Sequence, residues 1–224
     1  MHIFFATPSY NGITHSPFLD SFQATIEACK EKGWDTTFSI RKGNCYVQVA
    51  RNSLIKEFLD SGADVLFFLD DDISWPPGKA IELIEMRDEI VAGVYPMKAP
   101  QPDFPVVIHT DARGYPYVRS DGCISATSVP TGFLCIKRSV IKKLADAYPQ
   151  QRYVEYDRGG EEIGEFYDLF PQGVYDGRWV GEDYAFCRLW TRIMGQIWVV
   201  PDIDFTHAGY EGNYHRFLMA QPKE

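Results

Sequence analysis

The residues Val65-Leu66-Phe67-Phe68-Leu69 form an unbroken apolar run, and the chain then turns at once to Asp70-Asp71-Asp72 before Ile73. A run this rich in β-branched and aromatic side chains reads as a strand covered on both faces, the kind found in a mostly parallel sheet flanked by helices. Ligands of open α/β sheets bind outside the carboxyl ends of the strands, so three carboxylates here stand where such a fold keeps its chemistry. Three adjacent like charges repel one another unless a cation resolves them, and a divalent metal would do so economically. A solvated turn that stops the strand is the competing reading.

The chain around this run alternates strand and helix signals. His2 to Ala6 is a short apolar strand, and Thr7-Pro8-Ser9-Tyr10-Asn11-Gly12 follows as a polar turn rich in breakers. Phe18, Leu19, Phe22, Ile26 and Cys29 recur at helical spacing up to Gly33. Thr36 to Ile40 alternates as a second strand, and Val47, Ala50, Leu54 and Phe58 trace a helix face ended by Gly62. Arg51 and Asn52 lie near the start of that helix. Arg51 could reach a phosphate or an aspartate, or serve as a structural ion-pair residue. Ser74-Trp75-Pro76-Pro77 predicts a helix start, with Ile81 and Ile84 inward, and Ile90 to Val94 predicts the next strand, which runs into Tyr95-Pro96-Met97-Lys98.

From Pro100 the spacing of prolines and the short segments Val106–Ile108, Tyr117–Val118 and Ile124–Val129 predict a small antiparallel or mixed extension. Thr131-Gly132 leads into Phe133-Leu134-Cys135-Ile136, and Ser139 is expected to cap a helix through Ala147. Residues 150–179 are acidic and aromatic with little periodicity, which predicts a long mobile flap. Gly181-Glu182-Asp183 then opens a helix carrying Phe186, Leu189, Trp190 and Ile193. A strand at Ile197 to Val200 follows, and then a polar segment holding His207 and His215.

With 224 residues, 45% of them hydrophobic, the chain suits one domain with a sizeable core. A net charge of −9 repels nucleic-acid backbones and anionic membranes on average, which argues against both as main partners. No stretch reaches the roughly 18 consecutive apolar residues of a membrane span, and no secretion-signal pattern opens the chain, so an intracellular, cytoplasmic protein is expected. The five cysteines are odd in number, widely spaced and without a C-x-x-C pair, which fits reduced structural thiols.

Four motifs in order now carry a resemblance: the Thr7-Pro8-Ser9-Tyr10-Asn11 turn, the Asp70-Asp71-Asp72 cluster, Gly181-Glu182-Asp183 and His207. Together they resemble a GT-A fold glycosyltransferase of the family-2-like group that includes many phage and viral enzymes. The resemblance implies an open, mostly parallel Rossmann-like sheet with a small antiparallel or mixed extension. It implies a single domain over residues 1–224, with 1–98 as the nucleotide-binding half and 99–224 as the acceptor-binding half. The implied activity is transfer of a sugar from a UDP- or GDP-sugar to a glycan or other hydroxyl acceptor, with Mn²⁺ or Mg²⁺ on the diphosphate.

By that resemblance Asp72 is a metal ligand, Asp70 a metal ligand or a contact to the nucleotide, and His207 completes the metal shell; Asp71 stays ambiguous between roles. The i and i+2 positions of a strand end point to one side, so Asp70 and Asp72 could share one ligand. An oxygen-rich site with one imidazole suits Mn²⁺ or Mg²⁺. Thr7, Pro8, Ser9 and Tyr10 would wall the nucleobase and ribose, with Arg51 and Lys98 balancing the diphosphate.

Asp183 is the expected general base of an inverting displacement, beside Glu182, although a helix start favours the ionised form and lowers basicity. Capping of the helix is the alternative role for this pair. Pro130-Thr131-Gly132-Phe133 matches the family's acceptor-side loop, and Trp75, Trp179 and Tyr184 could stack on sugars. Two departures stand out: three consecutive aspartates replace a separated pair, and the acidic segment before Gly181 has no counterpart in the family pattern. Two other functions fit the same features. One is a nucleotidyltransferase of similar fold, although Thr7 to Gly12 lacks the Lys or Arg of its usual loop. The other is a non-catalytic carbohydrate- or metal-binding module.

Overall fold

A computed structural model describes residues 1–12 and 14–221. β1 (His2–Ser9), α1 (Ser16–Glu31), β2 (Asp35–Lys42), α2 (Val47–Ser61) and β3 (Val65–Leu69) alternate through the first third of the chain. Then come β4 (Ile73–Ser74), α3 (Lys79–Glu85), β5 (Ile90–Gly93), β6 (Val107–Ile108), β7 (Ile124–Ser128), β8 (Phe133–Lys137) and α4 (Arg138–Ala147). A single 3₁₀ turn leads to β9 (Arg152–Tyr156), β10 (Glu162–Tyr167), β11 (Gly173–Tyr175) and β12 (Arg178–Val180). The chain finishes with α5 (Glu182–Arg192), β13 (Ile197–Val200), β14 (Asp204–His207), β15 (Tyr210–Asn213) and α6 (Tyr214–Ala220).

The main sheet has eight strands in the order β2-β1-β3-β8-β5-β13-β7-β6. β1 is parallel to β2 and β3, β8 is antiparallel to both β3 and β5, β13 is parallel to β5, and β7 is antiparallel to β13 and β6. Only β8 and β7 therefore run against the other six, and the sheet is mostly parallel in direction.

Successive side chains of a strand face opposite sides, and here both sides are covered. Val65, Phe67 and Leu69 pack into the layer of α1 and α3 with Phe5, Phe18 and Phe133. Leu66 and Phe68 pack the other way, with Leu54 and Phe58 of α2 and Phe186 and Trp190 of α5. This two-sided burial is why the run before the aspartates is apolar throughout rather than alternating.

Several sequence expectations change. Residues 150–179 do not form an irregular flap: β9 pairs with β10 and β11 with β12 in two antiparallel hairpins. Their exposed faces carry apolar residues (Val154, Tyr156, Ile163, Val174, Trp179), which hid the strand period from a reading that looks for apolar–polar alternation. Ser139 lies inside α4, whose N-cap is Lys137, and its hydroxyl donates to Glu89 at 3.2 Å. The Ser74–Pro77 stretch supplies β4 and the approach to α3, which starts at Lys79. The antiparallel extension is the β7–β6 edge of the main sheet, and the polar C-terminal segment folds as β14 and β15, which join β4 in a three-stranded sheet. Among the described residues no helix is long and apolar enough to cross a membrane.

Phe67 is fully buried against Phe133, ring centroids 4.9 Å apart. Phe67→Ala is expected to lower unfolding stability by about 3–5 kcal/mol. Val174→Ala, on an exposed hairpin face, should change it by less than about 0.5 kcal/mol. Chemical denaturation midpoints of the two variants give the comparison.

Candidate active site

The carboxyl edge of the parallel strands gathers the ends of β1, β3 and β5, the first turns of α2 and α5, and the end of β14. β1 continues through Ser9, so Thr7, Pro8 and Ser9 sit in the strand opposite Ile40, Arg41 and Lys42 rather than in the turn the sequence predicts. Thr7 is buried with its Oγ1 unpartnered, whereas Tyr10, just past the strand, is 72% exposed.

β3 stops at Leu69, which leaves the three aspartates in the turn that follows. Strand-end alternation predicts that Asp70 and Asp72 share one ligand; the turn instead aims the three carboxylates at three sets of partners. Asp70 Oδ1 accepts from Arg51 Nη2 at 3.1 Å and Oδ2 from the Tyr95 hydroxyl at 3.2 Å. Asp71 accepts from Ser9, and its carboxyl is held above the usual range by burial and by Asp72 and Asp70 beside it, against the Ser9 hydrogen bond. Asp72 pairs with Lys98 Nζ and lies 3.5 Å from His207 Nε2. Burial opposes its ionisation, but His207 and Lys98 outweigh that and hold it well below the usual carboxylate range.

Among the described residues no group of three or more His, Cys, Asp or Glu side chains is arranged to hold a metal ion. The expected trio of Asp70, Asp72 and His207 is therefore not assembled, because Arg51 and Tyr95 occupy Asp70. Asp72 and His207 do fit a cation as a pair. His207 Nδ1 lies 2.7 Å from the Pro96 carbonyl, which can only accept, so Nδ1 carries a hydrogen and Nε2 is the nitrogen turned to Asp72. With a proton on Nε2 the ring pairs with the Asp72 carboxylate, and a positive ion between the two could take that proton's place. A ring nitrogen fixed by a backbone carbonyl is also how metal-binding histidines are oriented.

Arg51 is 4% exposed, its guanidinium set between the Phe68 and Phe170 rings at 5.5 and 5.9 Å. Besides Asp70 it faces Glu182, Nε to Oε1 3.7 Å, while Nε and Nη1 have no hydrogen-bond partner. Asp183 at the N-terminus of α5 accepts the Tyr184 backbone N–H at 2.8 Å. Its carboxyl is pushed up to about 6, mainly by burial and then by Glu182, with the Tyr184 N–H and Arg51 acting against the rise. The basicity that the helix start was expected to remove is thus restored by desolvation.

Sequence reasoning missed Tyr95. Its buried hydroxyl donates to Asp70, accepts the Gly132 N–H at 3.1 Å, and its ring stands edge-on to His207 at 4.9 Å. Its place at the carboxyl end of β5 was the available signal. Gly132 is required here: a Cβ would fall 2.4 Å from Asp70 Oδ2 and 2.5 Å from the Tyr95 hydroxyl. Trp75 is core, buried with Nε1 donating to Thr25, and is not available to stack on a sugar, whereas Trp179 is 68% exposed.

No protein-family model and no curated protein matches the sequence. Among solved structures, A197 from STIV superposes with a TM-score of 0.53 over 92% of this chain and 85% of its own, at 17% identity. A glycosyltransferase involved in glycosylation of the major capsid of PBCV-1 is also retrieved, at a TM-score of 0.37 that carries no weight. GalNAc-T7, in a crystal structure with UDP, GalNAc and Mn²⁺, superposes with a TM-score of 0.53 over 95% of this chain at 11% identity, and this chain spans 45% of that one. At these identities the likeness is one of architecture: the chain has a glycosyltransferase-like, GT-A-type α/β fold.

Proposed function

We propose that this chain is a metal-dependent glycosyltransferase of the family-2-like kind, acting inside the cell, that moves a sugar from a UDP- or GDP-sugar to a hydroxyl acceptor. One observation carries the reading: two carboxylates on one edge of the sheet are pushed apart, Asp72 held ionised by cations and Asp183 raised to about 6. Environments that split carboxylates in this way assign one to charge-binding and the other to proton transfer. The presence of UDP, GalNAc and Mn²⁺ in the GalNAc-T7 structure is in keeping with that assignment.

Residues 1–98 supply the donor side. Tyr10 and the end of β1 would flank the nucleoside, and Lys98, released from Asp72, would turn to the diphosphate. Arg51 is too enclosed for that contact and instead holds Asp70 and Glu182 in place. Asp72 and His207 would hold a Mn²⁺ or Mg²⁺ ion, which supplies Lewis-acid stabilisation of the leaving diphosphate. Residues 99–224 supply the acceptor side. Asp183 takes the acceptor hydroxyl's proton as that oxygen bonds to the sugar's anomeric carbon; the bond to the diphosphate breaks, and its electron pair leaves on the diphosphate. The new bond forms on the face opposite the one that breaks, so configuration inverts.

Three outcomes test this. Calorimetric titration of UDP- and GDP-sugars should show binding to one of them only with Mn²⁺ present, and His207→Ala should weaken Mn²⁺ binding by about 10–100-fold. Donor binding without metal would overturn the metal role. Asp183→Asn should cut transfer by about 10²–10⁴-fold with donor affinity unchanged. The wild-type kcat/KM profile should carry an acidic limb near pH 6 that the variant lacks.

The third outcome is thermodynamic. A carboxyl at about 6 when folded, against 3.8 as its ordinary value, contributes stability that is complete below pH 3.8 and lost as pH rises through 6. At pH 8, Asp183→Asn should therefore raise unfolding stability, by up to about 3 kcal/mol, and at pH 3.5 it should not. Thermal melts at the two pH values measure this.

A further inference from the structure

Between the first turns of α2 and the β9–β10 hairpin lies a cavity of about 530 Å³, inside the range of roughly 300–1,000 Å³ usual for small-ligand sites. Residues four apart share a helix face, so Gln48 and Asn52 line the cavity together, and Arg51, next to Asn52 in the chain, reaches Asp70 at 3.1 Å. The cavity thus lies along the first turns of the helix whose Arg51 pairs with the acid cluster. Its far wall is fixed to the catalytic helix: Phe170, next to the lining residue Pro171, stacks on Phe186 of α5 with centroids 4.7 Å apart and planes at 10°.

The charged groups around the cavity are already engaged within the chain. Arg152 is ion-paired with Glu165, Asp168 accepts from the Asn52 amide at 2.8 Å, and Glu155 stands against the Tyr153 hydroxyl. What remains is four primary amides, those of Gln48, Gln150, Gln151 and Gln172, and among the described residues none of them makes a side-chain hydrogen bond. An amide donates and accepts at once, as a hydroxyl does. An anionic ligand would find no free counter-charge here, because Arg152 is paired with Glu165 and the Asp168 and Glu155 carboxylates, which have only neutral partners, would repel it. An uncharged ligand rich in hydroxyls can donate to the carboxylates and exchange hydrogen bonds with the amides.

We propose that this cavity is the acceptor subsite of the transferase described above, on whose reading the inference rests, and that it takes a neutral saccharide, holding it beside the glutamines while a hydroxyl faces Asp183. The sequence marks the region only as acidic and aromatic, so the glutamines were no candidates until the hairpin brought them onto α2.

The test uses saturation-transfer NMR of the full chain with maltotriose, cellotriose, chitotriose and mannotriose, and with trigalacturonate as the charged control. It is run on the wild type and on the Gln48→Ala/Gln151→Ala variant. UDP and GDP with Mn²⁺ are titrated calorimetrically into both proteins. At least one neutral trisaccharide should bind the wild type, trigalacturonate should not, and the double variant should lose affinity at least tenfold with nucleotide binding changed less than twofold. Binding of a neutral saccharide that the substitutions leave unchanged, preference for the uronate, or no binding of any trisaccharide would each overturn the assignment. Saccharide binding abolished by the substitutions in a protein that binds neither nucleotide would uphold the cavity as a saccharide site and sink the transferase reading alone. Gln150→Ala, at an exposed position of the 3₁₀ turn, should weaken the same saccharide in the same direction, and unchanged affinity there would count against the proposal.

Discussion

The guanidinium of Arg51 is the contact on which the rest of this edge depends. A buried cation costs several kcal/mol to desolvate and persists only where anions compensate it. Here Asp70, from the turn after β3, and Glu182, from the first turn of α5, do so from two directions. The pairing therefore fixes three separate elements, α2, β3 and α5, relative to one another at the point where donor and acceptor would meet. The aromatic rings of Phe68 and Phe170 close around it and keep water out, which strengthens every charge interaction nearby.

The aspartate cluster follows from that constraint. With Asp70 committed to Arg51 and Tyr95, Asp72 is the cluster's carboxylate that pairs with a mobile cation, Lys98. A flexible lysine is a suitable placeholder: a compact ammonium on a long stem can leave one anion for another without moving backbone. His207 cannot leave in the same way, because β14 pairs with β4 and its ring is anchored on Pro96. One partner of Asp72 is thus fixed and the other able to move, an asymmetry that the proposed exchange of Lys98 for a metal ion would use.

Much of this was legible in the sequence because it depends on local pattern. The Val65–Leu69 run, the Gly62 stop of α2 and the Gly181-Glu182-Asp183 helix start all lie where the sequence puts them. What could not be read was relative direction. Three adjacent aspartates look like one charge cluster in sequence, but where β3 ends decides whether strand alternation applies to them, and it ends one residue before Asp70. The role of Arg51 was open between phosphate and carboxylate because burial, not residue type, decides it. The hairpins of residues 152–180 expose Tyr156, Val174 and Trp179, so their period does not show as apolar–polar alternation.

Asp183 shows how such effects compete. A helix N-terminus stabilises a nearby anion by about 0.3–1 kcal/mol, which lowers a carboxyl's pKa by less than about one unit. Here the displacement is upward, from 3.8 to about 6, so burial and the Glu182 charge together exceed the helix contribution several-fold. Arg51 acts against that rise while pairing with Glu182, the neighbour whose charge adds to it, so one buried cation moderates the basicity of a residue it does not touch. A carboxyl whose ionisation opposes folding at neutral pH has no structural benefit that asparagine would not provide better. That cost is in keeping with the proposed role of proton acceptor, since stability is given up at sites where function needs the charge.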